Sequence, residues 1–216
     1  DPVEYQIGGI TQTQVNVQAG LSFASGLRSF LRQDPDVIMV GEIRDTETAE
    51  LAIQASLTGH LVFSTLHTNS AAGALPRLQD MEMEPFLMAS SMTCIVGQRV
   101  TRKICEHCKE SYTPLQEVVE DIRQVLGPLL TKTSFELYRG KKCQECNGTG
   151  YSGRVGIFEV LPITEKIGKL ILEQAPSSQI NEQAIANGMI EMKQDGYMKV
   201  VEGITTLEEV LRVAET

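Results

Sequence analysis

Apolar positions fall into two short solid runs separated by helix-period stretches. Val37-Ile38-Met39-Val40 follows Asp34-Pro35-Asp36 and stops at Gly41-Glu42. A short, β-branched apolar run of this kind predicts a buried parallel strand over 36–40. A second run, His60 to Leu66, predicts another. Between them, Thr46 to Leu57 reads as a helix with Asp45 or Thr46 as N-cap, Glu47 in its first turn and a stop at Gly59. Leu21, Phe23, Leu27, Phe30 and Leu31 form one helical stripe, so 22–33 is a helix that Asp34-Pro35 ends, because the residue before proline leaves the helical region. Asn69 or Ser70 should cap a further helix through about Leu78. Strand, helix, strand, helix in this order predicts an α/β domain with a parallel sheet. Upstream, Thr11, Thr13, Val15 and Val17 alternate with polar residues and predict a short strand over 9–17. Downstream, 113–130, 165–173, 177–187 and 206–213 read as helices.

Composition narrows the picture. The chain has 216 residues, 42% of them hydrophobic but only 5% aromatic, with no Trp. The core must therefore be aliphatic, which suits a parallel sheet packed by helices. Net charge is 19 − 28 = −9. That balance gives no reason to coat nucleic acid or an anionic membrane. No apolar run reaches the roughly 20 residues that span a bilayer, and none forms a signal peptide. Five cysteines without a signal peptide argue for a reducing compartment, where CxxC pairs bind metal.

Several segments could carry chemistry. A hydrophobic strand ending in Glu42 has the form of a Walker B site: the carboxylate stands at the carboxyl edge of the sheet, where open α/β proteins bind ligands. It could hold Mg²⁺ or order an attacking water. On pattern alone the favoured reading is the exposed end of a buried strand, since many buried strands end in an exposed Glu. Thr65, His67 and Asn69 gather polar groups at the end of the next strand and could sense a γ-phosphate; a capped turn would look the same. Asp1-Pro2-Val3-Glu4 offers another carboxylate. Cys105-x2-Cys108 and Cys143-x2-Cys146, 34 residues apart, carry a stronger signal. Four thiolates are enough for a closed tetrahedral Zn²⁺ site, which is structural rather than catalytic. His107 is a less favoured ligand, and Cys94 should pack as a small hydrophobe. Arg99, Arg102 and Lys103 read as a solvated basic face.

Together these stretches resemble the hexameric secretion ATPases of type II secretion and type IV pilus assembly. Asp1–Glu4 is similar to that family's Asp box, Leu31–Asp45 to its Walker B, Thr58–Asn69 to its His box, and the four cysteines, Gly153–Glu159 and Gly203–Arg212 also match. The resemblance implies a RecA-like P-loop NTPase core, cut short at its N-terminus, over 1–100, a zinc-binding tetracysteine subdomain over 101–160, and a C-terminal helical subdomain over 161–216. It implies that Glu4 polarises the attacking water, Glu42 helps hold Mg²⁺ and His67 senses the γ-phosphate. His60, Thr65 and Arg44 lie near the nucleotide, with no assigned chemistry for Arg44. The implied parent protein is a cytoplasmic homo-hexamer that hydrolyses ATP, has no span of its own and sits at the inner membrane through a platform and secretion or pilus-assembly partners. The tetracysteine element points to assembly and export members rather than retraction members. These residues contain no GxxxxGK[ST] phosphate cradle, so the chain alone should hydrolyse ATP hardly at all. The alternative is a zinc-dependent interaction module, since Cys143-x2-Cys146-x-Gly148-x-Gly150 also matches the repeat unit of J-type chaperones; that reading leaves 1–100 unexplained.

Overall fold

The computed structural model describes residue 3, residues 5–132 and residues 134–214. Packing divides the chain into two units. The first comprises residues through Thr68, Ala72–Thr93 and Pro162–Gln183; the second comprises Asn69–Ala71, Cys94–Leu161 and residues from Ala184 onward.

Unit 1 is built on two parallel strands, β1 (Val37–Val40) and β2 (Leu61–Ser64), in register from Val37 opposite Leu61 to Val40 opposite Ser64. Helix α1 (Phe23–Phe30) opens with a capping box, in which Ser22 Oγ accepts the Ser25 N–H and Ser25 Oγ accepts the Ser22 N–H. A 3₁₀ turn, Leu31–Gln33, follows, and Asp34 takes a left-handed conformation (φ 53°) before Pro35. Helix α2 (Thr46–Leu57) connects the strands, its N-terminus capped by Asp45, whose carboxylate accepts the Thr48 N–H at 2.8 Å. Leu27 of α1, Ile38 and Val40 of β1, and Ala52 and Ala55 of α2 form the core between them. Helices α3 (Ala74–Asp80), α4 (Pro85–Ser91) and α6 (Glu165–Leu172) complete the unit, with α4 packed on both α2 and α6.

The expected strands and the helix between them are present, but β1 is buried on one face only. Ile38 and Val40 point into the core, whereas Met39 is 71% exposed and Phe63 of β2 52%. Among the described residues, helices cover a single face of this pair, so a continuous apolar run here is not a strand buried on both sides. Two other expectations fail. Residues 9–17 form no strand, only a bridge between Asn16 and Leu21 and a 3₁₀ turn at Val17–Ala19, because the alternating side chains are largely solvent-exposed and meet no partner strand. Helix α3 starts at Ala74, after turns, rather than at a cap on Asn69 or Ser70.

Unit 2 contains two long strands with no clear counterpart in the hydrophobic pattern. β3 (Cys94–Ile104) pairs with β6 (Tyr151–Pro162). Gly97 faces Glu159 and Thr101 Oγ1 donates to Val155 O, so partner numbers fall as β3 advances, which is antiparallel pairing. A short antiparallel pair, β4 (Lys109–Tyr112) and β5 (Leu137–Gly140), flanks α5 (Gln116–Leu126). Helices α8 (Met192–Val201) and α9 (Leu207–Ala214) pack closely because Gly196 lets Val210 approach; a Cβ on Gly196 would lie 2.4 Å from Val210 Cγ1. Helix α7 (Ser177–Ala186) begins in unit 1 and ends in unit 2. Ile122, Leu126, Leu137 and Ile157 join Tyr197 and Val210 in one aliphatic-rich core. The tetracysteine segment therefore shares a true hydrophobic core, which its own polar composition conceals because half the core comes from α8 and α9. Cys94, expected inside, is exposed at the start of β3.

Candidate functional site

The carboxyl ends of β1 and β2 bring together the residues that follow them. Parallel pairing makes this unavoidable: Val40 and Ser64 are register partners, so Gly41-Glu42 and Thr65 leave the sheet side by side. Ile43 N–H donates to Thr65 O at 3.0 Å, and Thr65 Oγ1 donates to Gly41 O at 2.7 Å, tying both exits together. Glu42 turns inward and is 2% exposed. Its Oε2 lies 2.5 Å from Arg44 Nε and 3.4 Å from His67 Nε2. Neither contact has hydrogen-bond alignment, so this buried oxygen is left without a hydrogen-bond partner. Burial alone would raise the Glu42 pKa, but Arg44 and His67 outweigh it and hold the carboxyl below its ordinary range. Arg44 and His67 are largely exposed. The result is a carboxylate fixed at a sheet edge, with an exposed guanidinium and an exposed imidazole at its mouth. A buried carboxylate oxygen whose countercharge comes from an exposed arginine is a fitting donor for a hard cation such as Mg²⁺ once that arginine moves aside.

Structure thus gathers Glu42, His67, Thr65 and Arg44. Glu4 lies outside the described residues. His60 is not gathered. It precedes β2 and stands at the opposite end of the strand, roughly 13 Å away at about 3.3 Å per residue. Its Nδ1 is 2.9 Å from Ala55 O and 3.0 Å from Thr58 Oγ1, which makes it a cap on the last turn of α2 rather than a neighbour of the edge.

The four cysteines converge in unit 2. Cys105–Cys143, Cys108–Cys146 and Cys143–Cys146 have Sγ···Sγ distances of 3.8, 3.9 and 3.8 Å, and all four sulfurs lie within 4.8 Å of one another. Thiolates at about 2.3 Å from a tetrahedral Zn²⁺ stand about 3.8 Å apart. These spacings match that geometry, and none is a disulfide bond length. The second knuckle uses Asn147, Gly148 and Gly150 at positive φ to fold Gly148 N–H onto Cys143 O and Gly150 N–H onto Cys146 Sγ. Burial would raise the Cys146 thiol, but the Gly150 N–H and the neighbouring sulfurs bring it down to about 6, while Cys143, against the hydrogen bond from the Cys146 backbone, is pushed up to about 11 by burial and the neighbouring sulfurs; the opposite directions describe a pair in which Cys146 gives up its proton first. His107 is not in the cluster.

Two buried carboxylates had no signal in the sequence reading. Glu209, 1% exposed, accepts from the Arg102 backbone N–H and pairs with both Arg102 and Arg212, and Arg102 also stacks 4.2 Å over the Tyr151 ring. Arg102, half exposed to solvent, is therefore also half of a clasp. Glu159 accepts the Ala71 N–H at 2.6 Å. A polar residue at an inward position of strand β6 could have suggested Glu159, and one on the apolar stripe of helix α9 Glu209, but only tertiary contacts distinguish a buried acceptor from a surface charge.

The family described as Type II/IV secretion system protein matches residues 1–212. The chain is 49% identical over 211 residues to the type IV pilus assembly ATPase PilB of Thermus thermophilus, covering 98% of this chain and 23% of that protein. It is 50% identical over 213 residues to type II secretion system protein E of Pseudomonas aeruginosa, covering 99% of this chain and 41% of that protein. The chain thus spans less than half the length of these relatives. Among solved structures, the pilus retraction motor PilT with bound ADP superposes with a TM-score of 0.60 at 29% identity, covering 90% of this chain and 44% of that one. The Legionella pneumophila ATPase DotB superposes with a TM-score of 0.61 at 22% identity, covering 94% and 46%, and establishes the shared fold. The fold is α/β and RecA-like, with four clustered cysteines. A chaperone-type reading is set aside, because the match takes in the residues before 100 that it could not explain.

Proposed function

The chain belongs to the type II/IV secretion system protein family, and on that premise we propose that it is part of a hexameric ATPase that powers type II protein secretion or type IV pilus assembly. The observation that carries this reading is the Glu42–His67 pair, 3.4 Å apart at the carboxyl edge of two parallel strands. Glu42 would hold Mg²⁺ through its buried oxygen Oε2. His67 would face the γ-phosphate, and Arg44 would neutralise Glu42 until the cation takes over. Thr65 would keep the two strand exits in register through its bond to Gly41. Glu4 would activate the attacking water. Bound Mg²⁺·ATP supplies the phosphoanhydride that is cleaved; this chain's residues orient it and carry its countercharge.

Cys105, Cys108, Cys143 and Cys146 would hold one structural Zn²⁺, and their presence favours assembly or export over retraction. Residues 1–100 would carry the nucleotide edge, 101–160 the metal, and 161–216 the closing helices. The parent would work in the cytoplasm, at the inner membrane through a platform protein. No helix among the described residues is long and apolar enough to cross a membrane. Since these residues contain no phosphate cradle, the 216-residue chain alone would hydrolyse ATP negligibly. The test is steady-state ATPase activity of the longer protein that contains a P-loop upstream of this sequence, with and without Glu42→Gln. Activity that survives the substitution would refute the assignment.

A further inference from the structure

The end of β3 that delivers Cys105 is held on both edges within unit 2. Alternate N–H groups of a strand point to opposite edges. On one edge the Cys105 N–H donates to Gly150 O at 3.0 Å. On the other, the Ile104 N–H donates to Ile204 O at 2.9 Å and the Arg102 N–H to Glu209 Oε2 at 3.0 Å, while Arg102 O accepts from Thr205 Oγ1 at 2.8 Å. Ile104, Thr205 and Glu209 are all fully buried. The same stretch reaches the second knuckle. Tyr151 Oη lies 3.0 Å from Thr206 Oγ1, and Tyr151 follows Gly150, whose N–H donates to Cys146 Sγ at 3.2 Å. Residues 204–209 therefore form a strap across the roots of both knuckles.

Glu209 locks that strap. Besides the Arg102 N–H, its oxygens accept from Arg102 Nη2 at 2.6 Å and from Arg212 Nε and Nη2 at 3.2 and 2.9 Å. Bonds to a carboxylate are charge-assisted, each about twice as strong as a neutral one. One side chain thus ties α9 to the backbone of β3 three residues before the first cysteine.

We infer that Glu209 is a positioning residue for the tetracysteine site. By clamping the strap it fixes the backbone that presents Cys105, and so slows the loss of metal from the cluster. The effect on metal rests on the zinc reading above; the effect on the Cys105 backbone does not, and the two are measured separately.

The first measurement follows zinc release from the zinc-loaded 216-residue chain to excess EDTA at neutral pH. Glu209→Gln keeps the side-chain volume, removes the charge and turns one acceptor into a donor that faces other donors. Zinc should leave about tenfold faster, the equivalent of one charge-assisted bond. Thr205→Val keeps the shape and removes the hydroxyl from Arg102 O; it should speed release about threefold, as for one neutral bond. Ile122→Val is the control: it thins the unit 2 core by one methylene, removes no strap hydrogen bond and should release zinc as the wild type does. Equal acceleration in Ile122→Val and Glu209→Gln would overturn the inference, because the clasp would then act through general stability alone. So would wild-type release in both strap variants, or in Thr205→Val where Glu209→Gln does not fold.

The second measurement is amide exchange by NMR. In Glu209→Gln the Ile104 and Cys105 amides should exchange at least about tenfold faster, with the Leu126 amide no faster than in Ile122→Val. A wild-type chain that takes up no zinc would refute the metal reading and leave the exchange data to decide the positioning role; unchanged Cys105 exchange would then overturn it.

Discussion

The Gly150 carbonyl oxygen passes so near Gly140 that a Cβ added at residue 140 would sit 2.1 Å from it. That same carbonyl accepts the Cys105 N–H at 3.0 Å, and the next residue after Gly140, Lys141, donates its N–H to Cys108 O at 2.9 Å. The two knuckles are thus joined where β5 ends, and only glycine at 140 allows it. Gly140→Ala should separate them. The expected cost is about 1–3 kcal/mol of stability, with faster metal release to a chelator; a variant that retains metal and melts like the parent would contradict this account.

Metal content offers a direct check on the sulfur geometry. Protein purified without chelator should contain one zinc ion per chain by elemental analysis, and Cys146→Ser should abolish it. Because thiolates bind and thiols do not, affinity should fall as pH is lowered. Loss of the ion should loosen β4, β5 and the knuckles more than the Ile122–Tyr197 core, since that core has aliphatic contacts of its own. Amide exchange that rises uniformly over unit 2 would show that the metal, not the core, holds the unit together.

What could be read from the sequence divides along contact range. Helix α2 was legible from Asp45 to Leu57 because its cap, its first-turn Glu47 and its stop at Gly59 are all local signals. Strands β1 and β2 were legible as solid apolar runs, and their parallel pairing followed from the helix between them. The cysteine cluster was legible from spacing. Strands β3 and β6 were not, because Gly97, Arg99, Thr101 and Glu159 interrupt their apolar alternation, and each of these makes sense only against a partner 30 or more residues away. Helix α8 was missed for a related reason: Gly196 weakens its local propensity and is there to admit Val210. The resemblance drew both His60 and His67 toward the nucleotide, although a strand over 60–66 already sets them at opposite ends; what the sequence did not show is that His60 Nδ1 is taken up by Ala55 O and Thr58 Oγ1 at the end of α2.

Glu209 gives a pH signature. Burial would raise its pKa, but Arg102, Arg212 and the Arg102 N–H bring it down to about 2. A carboxyl depressed in the folded state contributes stability above its unfolded pKa of about 4.3 and loses it as pH falls toward 2. Both arginines are half exposed, so solvent screening limits the contribution to on the order of 1–2 kcal/mol. Denaturant unfolding of unit 2 should therefore weaken between about pH 4.3 and pH 2 in the wild type. Glu209→Gln should be less stable at pH 7 and flatter across that window. An unchanged slope would mean that the clasp carries no net linkage.

The two histidines supply the sharpest test of the catalytic edge. His67 Nε2 is 3.4 Å from Glu42 Oε2, whereas His60 caps α2 through Ala55 O at 2.9 Å. If the edge is where phosphate chemistry occurs, the substitutions must separate cleanly in the longer, P-loop-containing protein. His67→Ala removes a donor aimed at developing negative charge, for which losses of about 10²–10³ in kcat are typical. His60→Ala removes one hydrogen bond at a helix end, which costs about 0.5–1.5 kcal/mol of stability and should leave kcat essentially intact at a temperature where the variant is folded. Glu42→Gln should abolish turnover more completely than His67→Ala, because it takes away the anion that holds the cation, whereas His67 only responds to the phosphate. Glu4→Gln should stop hydrolysis while sparing ATP binding, since it removes water activation and leaves the phosphate grip in place. The order expected for residual turnover is therefore His60→Ala highest, His67→Ala next and Glu42→Gln lowest. A reversal of the two histidines would move the active edge to the amino end of β2 and overturn the site.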